Sequence, residues 1–378
     1  MEMVYKKYEF NQVAVEAKFF YAENGVSECQ AIFHLLGTEK NFTEQYRTLF
    51  NAYQIFFASE LSGFTPVFKR YFLSDAANQQ SYITDNQGAV SIVQQAPLDG
   101  SKVALWLYCQ THMKLLAKSE GVTSVLHGNY EHHWTGGRNI SSGDSAQQTR
   151  TLLENYQHQL QGKELSISDN CIRTWFFVQN VDVNYRGVVE ARKKYFETIG
   201  LNPSTHYIAS TGIEGRVGDV AALVQFDAYA VGGLQPGQQR YLYAPTHLNP
   251  TYEYGVTFER GVCVVYGDRC HLFISGTASI DNRGEIVAVH DIAKQTIRML
   301  ENVETLLREG GARWNHVMSA IVYIRDMADY TTVKKLLKES LPDFPQVIVC
   351  APVCRPGWLI EMECIAIIPN GNPEFPCL

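Results

Sequence analysis

Apolar residues recur along this chain in two rhythms, a helical one and an alternating one, and their succession is written three times. The most legible copy comes last. Ile297, Leu300, Val303, Leu306 and Leu307 fall three and four apart, the stripe of a helix that lays one face on a sheet. Asp291 opens this helix and Gly310-Gly311 closes it, because glycine tolerates the left-handed backbone common at helix ends. A strand over residues 317–325 and a second helix over 326–337 follow. Two extended runs, 347–353 and 358–368, flank a turn at Pro356-Gly357 and are expected to pair as a hairpin.

The same parts occur earlier in the same order. Residues 148–155 match the first helix, and Gln148/Asn155 keep the spacing of Gln295/Asn302. A strand over 172–179, a helix over 185–199 and a closing strand over 223–229 complete this copy. The first copy is more worn, with a helix over 46–61, a strand over 67–75, a second helix cut down to 75–82 and a closing strand over 103–109. Paired strands should open each copy: 10–17 with 31–37, a shorter pair near 130–136, and 256–265 with 271–276. The repeating unit is thus ββαβ(α)ββ, an α+β sheet with helices on one face. Three units leave three bare sheet faces, and packing them around a pseudo-threefold axis covers all three and leaves clefts between neighbours. The boundaries read as 1–120, 121–245 and 246–378, with linkers near 110–128 and 232–250.

Composition narrows the function classes. With 46% hydrophobic and 19% charged residues the chain is an ordinary globular protein. A net charge of -7 argues against nucleic-acid binding through a global basic field and leaves only a local basic patch open. Nine scattered cysteines without CxxC spacing suit reduced thiols in a cytoplasm. No signal-peptide pattern and no membrane-spanning apolar run is read. His132-His133 and the other histidines lack ligand spacing, and the glycine pairs lack a phosphate-loop setting. No metal and no cofactor is expected. Trp175-Phe176-Phe177 reads as core.

The chemistry concentrates in the closing run. Alternation puts Glu361 and Glu363 on one face of a strand and Ile360, Met362 and Cys364 on the other. Two carboxylates in an apolar strand are costly to bury. They mark either a catalytic acid in a cleft or a solvated sheet face. In register, Gln225 of the second copy and Leu105 of the first stand where the third copy has Glu361. One acid among three copies fits a duplicated enzyme with one surviving site.

Ser275-Gly276-Thr-Ala-Ser-Ile280, the Gln295…Asn302 helix and the Cys350…Arg355…Glu361-Met-Glu363 run resemble the YjgF/RidA superfamily. Its members are trimers of this chorismate-mutase-like unit, with active sites between subunits. Tandem units in one chain resemble the chorismatases, as do the segments Arg173-Thr-Trp-Phe-Phe, Tyr207-Ile-Ala-Ser-Thr-Gly-Ile213 and Tyr254-Gly-Val-Thr-Phe-Glu-Arg-Gly261. The resemblance covers roughly 130–370 and implies a cofactor-free hydrolysis of chorismate to pyruvate and a hydroxybenzoate or a cyclohexadienediol. Glu361 would be the acid, with Glu363 in support. Arg355, Arg216 and Arg173 would bind the two substrate carboxylates, each also readable as a surface arginine, while Tyr254 and Tyr207 would position the ring or water, or simply pack. Cys354 with Gly261 leans toward the hydroxybenzoate branch, although a buried thiol also fills space. The superfamily's imine deaminases carry an arginine two residues before the hairpin cysteine, where Ile348 stands here, which disfavours that activity. A metabolite-binding protein without catalysis and a ribonuclease are the rival classes. Three units in one chain predict a monomer that mimics the trimer, with larger assemblies open.

Overall fold

The computed structural model describes residues 1–378. The first unit contains β1 (Glu2–Phe10), β2 (Val13–Tyr21), β3 (Glu28–Leu35), α1 (Phe42–Glu60), β4 (Phe64–Leu73), the single turn α2 (Ala76–Gln79), β5 (Ala89–Gln94), β6 (Ala96–Pro97) and β7 (Val103–Thr111). The second contains β8 (Lys114–Ser119), β9 (Val122–His127), β10 (Tyr130–Asn139), α3 (Ser145–Gln161), the short α4 (Ile167–Asn170), β11 (Cys171–Val178), α5 (Val181–Thr198), β12 (Ala209–Glu214) and β13 (Val224–Gly232). The third contains β14 (Gln239–Leu242), β15 (Gly261–Val265), β16 (Cys270–Ala278), α6 (Ile292–Glu309), β17 (Val317–Ile324), α7 (Tyr330–Ser340), β18 (Gln346–Cys350) and β19 (Ile360–Ile368).

The three sheets share one strand order: β1-β2-β3-β7-β4-β5, β8-β9-β10-β13-β11-β12, and β14-β15-β16-β19-β17-β18 with β6 of the first unit added at its edge. The chain is therefore three tandem RidA-like units, and each opens with three strands rather than two. The stretches read as linkers hold the extra ones, β8–β9 and β14. Every residue of β8 is exposed, so it lacks the one-sided apolar alternation that marks a strand in sequence. The expected terminal hairpin is also replaced. Strand β17 lies between β18 and β19, parallel to the first and antiparallel to the second, with α7 making the crossover that a parallel pair requires.

Side-chain capping sets the helix starts. Asn41 with Glu44 and Asp144 with Gln147 form capping boxes on α1 and α3, and Asp291 caps α6. A buried glutamine one turn in then ties each helix to the loop before its closing strand. Gln45 accepts from Lys102 N, Gln148 from Leu223 N and Gln295 from Leu359 N. Ile297, counted above in the apolar stripe of α6, is 46% exposed; Thr296 and Met299 take the buried positions instead.

The bare sheet faces meet in one central core that draws Phe68 and Trp106 from the first unit, Trp134, Trp175 and Tyr229 from the second, and Phe273 from the third. A buried arginine–carboxylate pair anchors each interface: Arg70–Asp227 at 2.9 Å, Arg173–Glu363 at 2.5 Å and Arg269–Glu28 at 2.8 Å, with Arg70 also 3.7 Å from Glu363. In the first unit Leu105 and Leu107 face α1, and Trp106 faces the centre. Leu105 is therefore not the counterpart of Glu361. The β10–β13 and β16–β19 ladders carry bulges that the β3–β7 ladder lacks, and a one-residue slip exchanges the two faces of a strand. No helix is long and apolar enough to cross a membrane.

Candidate active site

Strand β19 presents Glu361 and Glu363 to the centre, where they are 4% and 5% exposed. Their surroundings differ. Glu363 accepts from Arg173 Nη2 at 2.5 Å, from Trp175 Nε1 at 2.9 and 3.0 Å and from the Thr211 hydroxyl, with Arg70 Nη1 at 3.7 Å. This is a carboxylate held from three sides, as a buried charge requires. Glu361 makes no side-chain hydrogen bond and no ion pair. It lies against Gly276, where a Cβ would overlap its carboxyl group. Burial first, and the neighbouring Glu363 second, push the Glu361 carboxyl up to about 8, against the pull of Arg173 and Arg260. At neutral pH it carries a proton.

The cavity in front of Glu361 lies between the second and third units. Helix α5 contributes Tyr185 and Arg192, and β12 contributes Ser210 and Gly212. A Cβ at Gly212 would strike the Tyr185 ring, so glycine there lets the phenol lie across the strand. Tyr254, Phe258 and Arg260 come from the segment leading into β15, and Cys354, Arg355 and Trp358 from the connection between β18 and β19. Burial pushes the Cys354 thiol up to about 12, so it is a neutral wall rather than a nucleophile.

Three guanidinium groups reach this cavity, and none is paired with a carboxylate. Arg192 donates to Thr257 Oγ1 at 3.2 Å and Ser210 Oγ at 3.4 Å, and its Nη2 is buried without a partner. Arg260 donates to Asn249 O at 3.0 and 3.3 Å. Arg355 donates to Tyr254 O at 3.4 Å and stacks on the Tyr254 and Trp358 rings. The Tyr254 hydroxyl and Trp358 Nε1 are likewise buried without acceptors. Buried donors are normally satisfied, so these groups are available to a ligand in the cavity. The free interior is about 20 Å³, room for about one water. The Arg355–Tyr254 contact lies at the edge of this small cavity.

Of the residues singled out in the sequence, Glu361, Arg355, Cys354 and Tyr254 meet here. Arg173 lies beneath the cavity, bound to Glu363, where it fixes the neighbour of the acid and does not face a ligand. Arg216 does not join them. Its side chain is 48% exposed and its nearest charged partner is Glu214 at 3.7 Å. Tyr207 packs on Phe196 within the core of the second unit. Gly261 is buried inside β15 against the Phe273 carbonyl, and its predecessor Arg260 lines the cavity. Arg192 and Arg260 were missed, although both left a signal. Arg192 stands between Val188 and Phe196 on the buried stripe of α5, where an arginine needs a reason. Arg260 lies within the Tyr254…Gly261 segment itself.

The family profile described as Endoribonuclease L-PSP matches residues 262–368. A RutC family protein of Pyrococcus abyssi is 37% identical over 98 residues, which are 25% of this chain and 76% of that protein. The 3-aminoacrylate deaminase RutC of Acinetobacter baylyi is 29% identical over 97 residues, 25% of this chain and 77% of that protein. The chain belongs to the RutC family, within the YjgF/RidA-like superfamily. Among solved structures, a chorismatase is similar over 80% of this chain and 93% of its own, with a TM-score of 0.64 and 19% sequence identity. At that identity the likeness is one of fold.

Proposed function

We propose that the cleft between the second and third units hydrolyses chorismate, releasing pyruvate. The observation that carries this reading is Glu361, a buried protonated carboxyl group with no partner of its own, facing a cavity edged by three unpaired guanidinium groups. Chorismate matches that arrangement as a dianion whose enol ether needs a proton. Arg355, Arg260 and Arg192 would receive its two carboxylates, since a guanidinium fork suits a carboxylate bidentately. Glu361 then gives its proton to the methylene carbon. The C=C electron pair forms the new C–H bond, and the adjacent carbon becomes an oxocarbenium centre. Water adds there and returns a proton to the Glu361 carboxylate. The resulting hemiketal breaks its bond to the ring oxygen, which takes a proton, and pyruvate leaves. Retention of both ring oxygens gives the diol; expulsion of one water with loss of a ring proton gives a hydroxybenzoate, the branch that Cys354 and Gly261 favour.

Imine deamination gains no support here. Ile348 is half-buried in a groove beside Leu337 of α7, and its side chain is no cation for a carboxylate.

Lactate-dehydrogenase-coupled detection of pyruvate tests the proposal. The native chain should release pyruvate from chorismate and Glu361→Gln should not. No release from the native chain, or full release from the variant, removes it. Chromatography of the ring product should show a hydroxybenzoate, with a changed product ratio in Cys354→Ala.

A further inference from the structure

The cleft between the first and second units is the counterpart of the proposed active site by internal symmetry, and it has a different character. Gln225 occupies on β13 the place of Glu361 on β19, since Gln225 pairs with Asn139 just past the β10 bulge as Glu361 pairs with Ala278 just past the β16 bulge. The helix that walls the Glu361 cavity has no full-length equivalent here. The first unit has only the four residues of α2 and one further turn. The result is an open cleft of about 640 Å³.

Its floor is largely backbone. Gly136 and Gly137 lie so close to the Val90 carbonyl that a Cβ on either would sit 3.0–3.1 Å from it, and Gly88 and Gly121 also line the cleft. Asp85 is already satisfied by Lys69 at 2.6 Å and by the Tyr71 hydroxyl. Lys118 near the end of β8 and Glu120 in the β8–β9 turn are both exposed and carry opposite charges. Arg138 is the exception. Its half-buried guanidinium lies over Gly121 and makes no hydrogen bond or ion pair. Gln225 donates one amide N–H to Ser91 Oγ at 3.0 Å, and its carbonyl oxygen, which no protein donor reaches, is left to accept from the cleft.

The geometry points to a second small-molecule site in this cleft, for a small hydroxy acid whose carboxylate binds Arg138 and whose hydroxyl donates to Gln225 Oε1. A free guanidinium selects the carboxylate. An acceptor without a donor selects a hydroxyl over a methyl group, because an unpaired partner in the complex costs affinity.

Saturation-transfer NMR on the full chain tests this, with glycerate and its hydroxyl-free analogue propionate as probes at millimolar concentration. Glycerate should bind, propionate should bind several-fold more weakly, and Arg138→Ala should weaken glycerate about tenfold or more. Gln225→Leu should erase the preference between the two acids. Glu361→Gln should bind glycerate as the native chain does, which separates this site from the proposed reaction. Absence of glycerate binding to the native chain overturns the inference. So does propionate binding as tightly as glycerate, a readout that needs no variant to fold. Binding that survives Arg138→Ala and is lost in Arg355→Ala would place the acid in the other cleft and equally overturn it.

Discussion

The clefts around Glu361 and Gln225 use equivalent strands of successive units, and each has a second acid two residues further along its strand. Those second acids behave alike. Glu363 is held by Arg173 and Trp175, and Asp227 by Arg70 at 2.9 Å and the Gly137 N–H at 2.7 Å. In both, an arginine of the preceding unit neutralises an acid of the following one. The first positions have diverged. Gln225 is bonded to Ser91 across an open cleft, whereas Glu361 is unpaired in a closed one. The repeated position thus holds units together, and the unrepeated one is free to carry chemistry. An acid alone does not make the difference. Helix α5 brings Arg192 and Tyr185 to one cleft, and nothing of that length reaches the other.

The sharpest way to break this contrast is Glu361→Gln. It should lower kcat/KM by about 10²–10⁴-fold, the usual contribution of a placed general acid. In the native protein kcat/KM should stay level up to pH about 8 and fall above it, as Glu361 loses the proton proposed for delivery. Stability follows the same sign. A carboxyl group raised from its ordinary 4.5 to about 8 stays protonated in the folded chain after the unfolded chain has released its proton. Its contribution is present below pH 4.5 and is lost as pH rises through 8. Glu361→Gln should therefore gain stability relative to the native chain across that window in urea titrations. A flat difference would mean that Glu361 is solvated.

The paired acid should respond in the opposite way. Arg173→Met strands Glu363 without its principal partner, and breaking a buried pair from one side costs about 3–5 kcal/mol. Thermal and urea unfolding should show that loss, while Glu361→Gln shows none. Equal effects from the two would dissolve the distinction between a holding acid and a reacting one.

Single removals of Arg355 or Arg192 should act on substrate binding. Each is expected to raise KM with a smaller change in kcat, by about 10–100-fold for a charge-assisted contact of about 1.5–3 kcal/mol. A pure kcat effect would move that arginine from holding carboxylates to stabilising the reacting centre.

Much of this contrast could be read in the sequence because side chains with one job recur at one place. Gln148 and Gln295 carry the repeat, and Gln45, one residue before the first helix as read, does the same work. Asn155 and Asn302 mislead. They match in spacing, yet Asn302 is buried on the Ala278 and Ile280 carbonyls while Asn155 is exposed. Glu361 was legible because charge in an apolar strand is costly to bury. Three features were hidden for distinct reasons. Strand β8 is exposed on both faces and carries no period. The partner of β19 is chosen by a crossover through α7, which the Pro356-Gly357 turn does not announce. The register of β7 depends on a missing bulge, so the register comparison of the closing strands landed on Leu105, on the wrong face. Sequence proximity also favoured Arg216, near the end of a strand entering the site, over Arg192, which arrives from a helix.

That last pair gives the smallest predicted effect. Arg216 lies just past β12, whose Ser210 and Gly212 do line the cavity. Its backbone is fixed by a hydrogen bond from Gln94 N at 2.8 Å, so the side chain is not free to swing round the strand end. Its guanidinium is half exposed beside Glu214, and an exposed pair of this kind is worth about 0–1 kcal/mol. Arg216→Ala should therefore leave kcat/KM within about twofold and stability within about 0.5 kcal/mol. A tenfold loss of activity would require the substrate to reach past Glu214 to the outer end of β12, and the closed cavity edged by Arg192, Arg260 and Arg355 would then be only part of the site.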